Sequence, residues 1–359
     1  MISQVHPSFI LSMSEKKNTT DNRNPVKVTY YFRKPYDFHY SIENIFKEII
    51  PLLPENIEGK IYELPHFSKG VLPRIKNYLA AKKVQGSVNH VTGDIHFIVP
   101  GLKKSKTILT IHDLGFMKQS NPINRFILWF FWIWLPVKKA GIITTISDST
   151  KNDIIRYSGC PEEKIQVIPD FINPGFKKTN RPFHKKQPVI LMVGTNFNKN
   201  IERSLEALSE IPCTLKIIGK LSNSNIQTLR KHSIDYTNLF NLSNDDLIQA
   251  YSESDMLVFC STLEGFGLPI LEAQATGRPV VTSNISSMPY VAGDAACFAD
   301  PFDIISIRKA VQKIIEDDAY REDLIQKGFE NIKRFDLHKV TKMYVDLYEE
   351  ISHATDKHT

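Results

Sequence analysis

Two carboxylates separated by seven residues, with glycines among them, are the part of this sequence best equipped for chemistry. Glu264 and Glu272 bracket Gly265, Phe266, Gly267, Leu268 and Pro269. Ionised carboxylates only accept hydrogen bonds, so they suit paired hydroxyls such as those of a ribose or a hexose. The glycines let backbone N–H groups approach a ligand closely. Pro269 reads as the first turn of a helix that Gly277 stops. The free N–H groups and the positive dipole end of such a helix suit a diphosphate. Glu264 then lies in the loop and Glu272 about one turn into the helix, so both can face one crevice while holding different parts of a ligand.

The elements around this motif must place it at the edge of a sheet. Met256 to Cys260 and Val280–Val281 are apolar runs that read as strands, giving a strand–loop–helix–strand unit. Its loop lies at the carboxyl end of a strand, where open parallel sheets bind ligands. A second corner of the same kind follows the strand Pro188 to Val193. It consists of Gly194, Thr195, Asn196, Asn198 and Lys199, then a helix carrying Leu205 and Leu208. Lys199 can add a full positive charge there. Lys220 follows the strand Thr214 to Gly219. In the first half, the strand Lys106 to Ile111 runs into His112 and Asp113, again at a carboxyl end. Either these two serve a site, or Asp113 caps a turn and His112 is a hydrogen-bonded core residue.

With its glycines, proline and flanking strands, the Glu264–Glu272 motif resembles the donor-site signature of the retaining glycosyltransferases of family 4. The resemblance covers about residues 26–355 and is strongest over 188–301. It implies an α/β fold of GT-B architecture: two doubly wound Rossmann-like domains facing a cleft, with a C-terminal helix crossing back to the first domain. It implies that Glu264 contacts the donor hexose, Glu272 the nucleotide ribose, and His112 the donor sugar near the reacting carbon. His112 and Glu264 are thus the catalytic candidates. The donor-binding set is Gly194, Thr195, Asn196, Asn198, Lys199, Lys220, Glu264, Gly265, Phe266, Gly267, Leu268 and Glu272. Thr195 stands where the family more commonly has arginine, so Asn196, Asn198 and Lys199 are expected to carry more of the diphosphate. Backbone near Asn241 to Asp246 is expected to read the base. The loop Arg33 to Tyr40 lacks the glycines of many relatives. Tyr36, His39 and Tyr40 either hold the acceptor, together with Asp113, or lie on a surface loop.

The resemblance further implies hexosyl transfer from a nucleotide diphosphate sugar to a hydroxyl, with retained configuration. The expected donor is GDP-mannose, and the expected acceptor is a growing, lipid-linked surface polysaccharide of the O-antigen or capsule kind. No Asp-x-Asp pair stands at a strand end, and Asp245–Asp246 and Asp317–Asp318 lie in helical contexts, so neither a metal nor another cofactor is expected. A nucleotide-sugar epimerase or a phosphorylase could use the same architecture. Each would need further carboxylates, or a phosphate or pyridoxal site. A catalytically silent partner protein would have no need of Glu264, Glu272 and Lys199.

The chain has 359 residues, 42% hydrophobic and 23% charged, enough for two ordinary globular domains. Its net charge of +6 fits anionic ligands or an anionic membrane surface. It lacks a dense basic stripe with interleaved aromatics, so nucleic acid is not an expected partner. Four scattered cysteines without metal-type spacing read as reduced thiols. The first apolar cluster, Phe9 to Leu11, is too short for a secretory signal, and a cytoplasmic protein is expected. Residues 1–25 read as a disordered extension, 26–175 as the acceptor domain, 183–335 as the donor domain and 336–359 as the returning helix. The linker is Asp170 to Pro182. Phe126 to Val137 is too short to span a membrane, which needs about twenty residues. It is either a buried helix ending at Pro136 or an interfacial helix at the inner face of the cytoplasmic membrane.

Overall fold

The computed structural model describes residues 25–34, 43–119 and 121–356. The N-terminal extension, the Tyr36–Tyr40 loop and the Ser41 helix cap lie outside them.

Among the described residues, twelve strands form two six-stranded sheets, parallel throughout. The first holds β1 (Val26–Phe32), β2 (Ile57–Glu63), β3 (Val88–Val91), β4 (Thr107–Ile111), β5 (Ile142–Thr145) and β6 (Ile165–Val167), in the order β2-β1-β3-β4-β5-β6. The second holds β7 (Val189–Val193), β8 (Thr214–Ile218), β9 (Asp235–Leu239), β10 (Met256–Phe259), β11 (Val280–Ser283) and β12 (Cys297–Ala299), in the order β12-β11-β10-β7-β8-β9. Central strands such as β4 and β10 are buried at every position, as strands covered by helices on both faces must be.

Strand order fixes where ligands can go. Counted from β7, the second sheet is a 3-2-1-4-5-6 sheet whose order reverses between β7 and β10. The first reverses between β1 and β3. At such a reversal the connections leave in opposite directions and open a crevice beyond the strand ends. The loops after β7 and β10 are the two corners singled out from sequence. The loop after β1 is the one that carries Tyr36, His39 and Tyr40.

Helix Leu337–Asp356 returns to the first domain. Leu337, Val340, Tyr344, Leu347, Tyr348 and Ile351 join Val28, Tyr30 and Val88 in one buried cluster. His90 Nδ1 lies 2.8 Å from the Tyr348 hydroxyl and Nε2 lies 2.7 Å from Thr110 Oγ1, so this imidazole is a buried structural group. The four cysteines are free and buried.

Three sequence expectations need correction. The strands β9 and β12 have no counterpart in the sequence reading, and both are edges. β9 alternates exposed and half-buried positions, and β12 has only three residues. The aromatic segment does not end at Pro136. It runs helically from Pro122 to Lys139, with Trp129–Trp134 wound as a π-helix. A proline here removes the N–H that would bond the carbonyl four residues back. That carbonyl, of Trp132, accepts from His96 Nδ1 at 2.6 Å instead, so the chain continues past the proline. The segment is also not uniformly buried: Trp132, Ile133 and Val137 enter the core, while Phe126, Ile127 and Phe131 are exposed. Among the described residues no helix is long and apolar enough to cross a membrane.

Candidate active site

The β7 corner is built around one glycine. Gly194 has φ +87°, and a Cβ there would lie 2.6 Å from Lys199 Cε. Only glycine lets the lysine stem cross the backbone at this point. Lys199 Nζ then reaches Glu264 Oε1 at 2.6 Å and lies 4.6 Å from the Phe259 ring centroid. Both partners are largely shielded from water. The lysine charge is therefore shared with Glu264.

Further bonds lock the two loops together. Asn198 Nδ2 donates to Leu263 O at 2.8 Å and to Glu264 Oε1 at 3.4 Å, while Asn198 O accepts from Thr262 N at 2.8 Å. Asn200, left-handed at φ 57°, is buried and donates to Cys260 O and Pro301 O at 3.1 and 2.6 Å. Ser286 Oγ exchanges bonds with Glu264 N and O, and Ser287 Oγ donates to Phe266 O at 2.5 Å. Sequence reading missed Asn200, Ser286 and Ser287. Their types are ordinary, and their partners lie 20 or more residues away.

The β10 corner turns as expected into helix Leu268–Thr276, with Gly267 at φ 118°, Pro269 in the first turn and Gly277 as a left-handed cap. Its aromatic ring turns inward. The Phe266 ring is buried, edge-on to Phe335 at 5.5 Å, so only the backbone of this residue remains for binding. Leu268 packs on the same core cluster. Glu272, partly buried, accepts from the hydroxyl of the fully buried Tyr251 at 2.5 Å. Burial pushes the Glu272 carboxyl up to about 7, opposed by that hydrogen bond and by Lys199. One oxygen is thus held in place, and the group titrates near neutrality.

Thr195 does not replace an arginine in kind. Its Oγ1 donates to Lys220 O at 2.8 Å, and its side chain fills the space beside Gly219, where a Cβ would meet it at 2.9 Å. Lys220 itself is exposed, and Asn196 precedes the short turn Phe197–Lys199.

The first domain meets this loop at one point. A Cβ on Gly265 would lie 2.5 Å from His112 O, so only glycine permits the approach. Gly265 O accepts from Ser147 Oγ at 2.7 Å. Ser147 also caps helix Asp148–Ser158 by accepting from Thr150 N. His112 is half-buried, with Nε2 3.3 Å from Thr92 O. A carbonyl only accepts, so Nε2 carries the proton and Nδ1 is left as an acceptor. Burial lowers the imidazole to about 4, so it is neutral at pH 7. Asp113 Oδ1 accepts from Gly115 N at 2.8 Å, which is a turn cap, yet its exposed carboxylate also lines the cleft. That cleft, about 340 Å³, lies between Asp113, Thr150 and Asp153 of the first domain and Phe197, Asn198 and Glu264 of the second. Phe197, well exposed there, was another residue the sequence reading passed over. Among the described residues no group of three His, Cys, Asp or Glu side chains could hold a metal ion.

Two Rossmann-like domains meeting over paired carboxylates, a lysine and a helix N-terminus define a GT-B glycosyltransferase. Residues 26–176 match the family described as Glycosyltransferase Family 4, and residues 176–331 match Glycosyl transferases group 1. The chain belongs to this family of two-domain glycosyltransferases. It is 28% identical over 270 residues to O-antigen chain mannosyltransferase B of Escherichia coli, covering 68% of this chain and 70% of that one. It is 26% identical over 258 residues to O-antigen chain mannosyltransferase RfbU of Salmonella typhimurium, covering 69% and 70%. The fold matches the crystal structure of WaaG, a glycosyltransferase involved in lipopolysaccharide biosynthesis, with TM-score 0.68 at 16% identity over 89% of this chain and 99% of that one. It also matches Anabaena HepE in complex with UDP and glucose, with TM-score 0.73 at 14% identity over 90% and 100%.

Proposed function

We propose that the protein transfers mannose from GDP-mannose, with retained configuration and without an essential metal, to a hydroxyl of a growing, lipid-linked surface polysaccharide. The observation that carries this reading is the Lys199–Glu264 pair, set at the reversal of the second sheet in the loop whose Gly265 meets His112 O. The O-antigen mannosyltransferases among its relatives support the choice of sugar.

In this reading the donor diphosphate lies at the start of helix Leu268–Thr276 and takes over Lys199. Glu264, released from the lysine, accepts from sugar hydroxyls, and the free oxygen of Glu272 accepts from the ribose. The bond from the anomeric carbon to the diphosphate oxygen breaks while the bond to the acceptor oxygen forms on the same face. The acceptor proton passes to the leaving phosphate. Charge grows on that phosphate, and Lys199 and the fixed N–H groups stabilise it without reorganising. Neutral His112 offers Nδ1 to a hydroxyl of the transferring sugar.

A thermal-shift comparison of UDP, GDP and dTDP and their sugars, with Glu272→Ala alongside, tests this. A ligand that binds only the folded chain raises the Tm by mass action. The expected result is a rise with GDP and GDP-mannose that is lost in Glu272→Ala. A rise with another nucleotide family overturns the donor assignment, and no rise with any of them overturns the donor site. Transfer that persists in EDTA is the expected outcome for the metal, and loss of transfer there overturns that part.

A further inference from the structure

The charged side chains that line the cleft between the domains are all of one sign. Asp113, Asp153 and Glu264 line it, and among the described residues no Lys, Arg or His does. Glu264 is already paired with Lys199, at 2.6 Å. The uncompensated charge therefore belongs to the first-domain wall, to Asp113 and Asp153. One Asp113 oxygen caps a turn by accepting from Gly115 N, which leaves the other for the cleft. Asp153 is half-buried, and among the described residues its carboxylate has no hydrogen bond or ion pair.

Helix Asp148–Ser158 puts Asp153 there. Asp153 follows Ser149 by four residues and Thr150 by three, so the three share one helix face. Thr150 Oγ1 lies 3.3 Å from His112 O and 3.5 Å from Gly265 O, which turns this face toward the second domain. A helix N-terminus by itself attracts an anion, with roughly half a positive charge. Here Thr150 N is taken by Ser147 Oγ, and Asp148 and Asp153 set two full negative charges against that half. The opposite wall adds Phe197, an uncharged ring that is 65% exposed. Carboxylates beside an apolar ring fit a pyranose, whose hydroxyls donate to the one while its C–H groups lie on the other.

We propose that the cleft takes its acceptor as an uncharged sugar ring, with Asp113 and Asp153 accepting from the ring hydroxyls and turning away acidic sugars and phosphates. This deepens the proposed function and rests on it for the direction of transfer. A bound donor sharpens the selection, because its diphosphate brings further negative charge to the same cleft. The volume of about 340 Å³ lies at the small end of ligand sites, so it holds the reacting end of a glycan and leaves the lipid outside. A polyprenyl phosphate carries its charge on the very oxygen that would be glycosylated, and that oxygen would have to sit beside Asp113 and Asp153. An earlier transfer, which places a neutral sugar on the lipid phosphate, must therefore supply this acceptor.

The test is saturation-transfer NMR on the full chain, with and without GDP. The probes are the methyl glycosides of mannose, glucose, galactose and N-acetylglucosamine, each beside its methyl uronide, which differs only in a carboxylate at C6. The expected result is binding of at least one neutral glycoside and at least about tenfold weaker binding of its uronide, a gap that narrows with salt. In the double variant Asp113→Asn, Asp153→Asn the amide oxygens still accept, so the turn cap at Gly115 and the nucleotide-induced Tm rise should persist. That variant is expected to bind the neutral glycoside about three- to tenfold less tightly, through loss of charge-assisted bonds, and to close the gap to the uronide. Equal binding of uronide and neutral glycoside by the wild-type chain, or a gap unchanged in the double variant, overturns the proposal. So does mannose transfer onto a polyprenyl phosphate, or a normal nucleotide Tm rise with no neutral glycoside bound. Selective sugar binding without any nucleotide rise supports this site and counts against the donor site alone.

Discussion

The two walls of the cleft are made differently. On the second domain, side chains hold the loop of Glu264 from several directions: Lys199, Asn198, Ser286 and Ser287 all bond to it. On the first domain, the contact is His112 O against Gly265, the hydroxyls of Ser147 and Thr150 on Gly265 O, and Ile146 in the core cluster of Phe266. A wall cross-linked by side chains is preorganised for one ligand. A wall joined by close backbone approach can separate and re-form as a unit, which suits the acceptor side of the proposed reaction.

The largest effect is expected where the two walls touch. In Gly265→Ala the new methyl collides with His112 O, so the domains cannot close to the same register. Displacement of this size is expected to cut transfer by about a hundredfold or more. The nucleotide-induced Tm rise should survive, because the wall proposed to hold the donor is intact. Equal loss of both would show that the walls are not separable.

Glu272 gives a smaller effect with a pH signature. Its folded carboxyl lies near 7, above the ordinary value of 4.5. The stability linked to its proton is therefore fully present below about 4.5 and lost as pH rises through about 7. Glu272→Gln should remove that loss, which is on the order of 3 kcal/mol, so the variant melts higher than wild type at pH 8 and alike at pH 4.5. Asp170, also pushed up to about 7 by burial, titrates in the same window in both proteins, so only the difference between them is informative. Donor affinity in wild type should improve as pH rises through 7, since the carboxylate is the better acceptor. Glu272→Gln should weaken it by about ten- to a hundredfold. A variant with wild-type donor affinity would remove Glu272 from the site.

The smallest effect belongs to Phe197. Its ring is exposed on the cleft, and Phe197→Ala is expected to raise the acceptor KM roughly three- to tenfold with the donor KM unchanged. A change in the donor KM instead would place this residue on the other side of the comparison.

The same contrast explains what could be read from sequence. Glu264, Glu272, Gly194 and Lys199 were legible because the chemistry, the strand before and the helix after fall within a dozen residues. The bonds of Ser147 to Gly265, Asn200 to Cys260 and Ser286 to Glu264 were not, because the partners lie 118, 60 and 22 residues away. The inward turn of Phe266 was not legible, because a ring between two glycines shows no partner in its own segment. Its actual partner, Phe335, is contributed by the segment entering the last helix. The edge strands β9 and β12 were hidden by lacking two buried faces, which is what makes an inner strand of a parallel sheet recognisable. Pro136 looked like a stop, because the π-turn and the His96 bond that make it tolerable leave no local pattern.

The returning helix has a consequence for the order in which the protein can be made. Val28, Tyr30 and Val88 belong to the earliest quarter of the chain, yet the side chains that cover them come from Leu337 to Ile351. On the ribosome the second domain is therefore the first to hold all its parts. The first domain, although synthesised earlier, keeps an apolar face open until the final helix emerges and closes it.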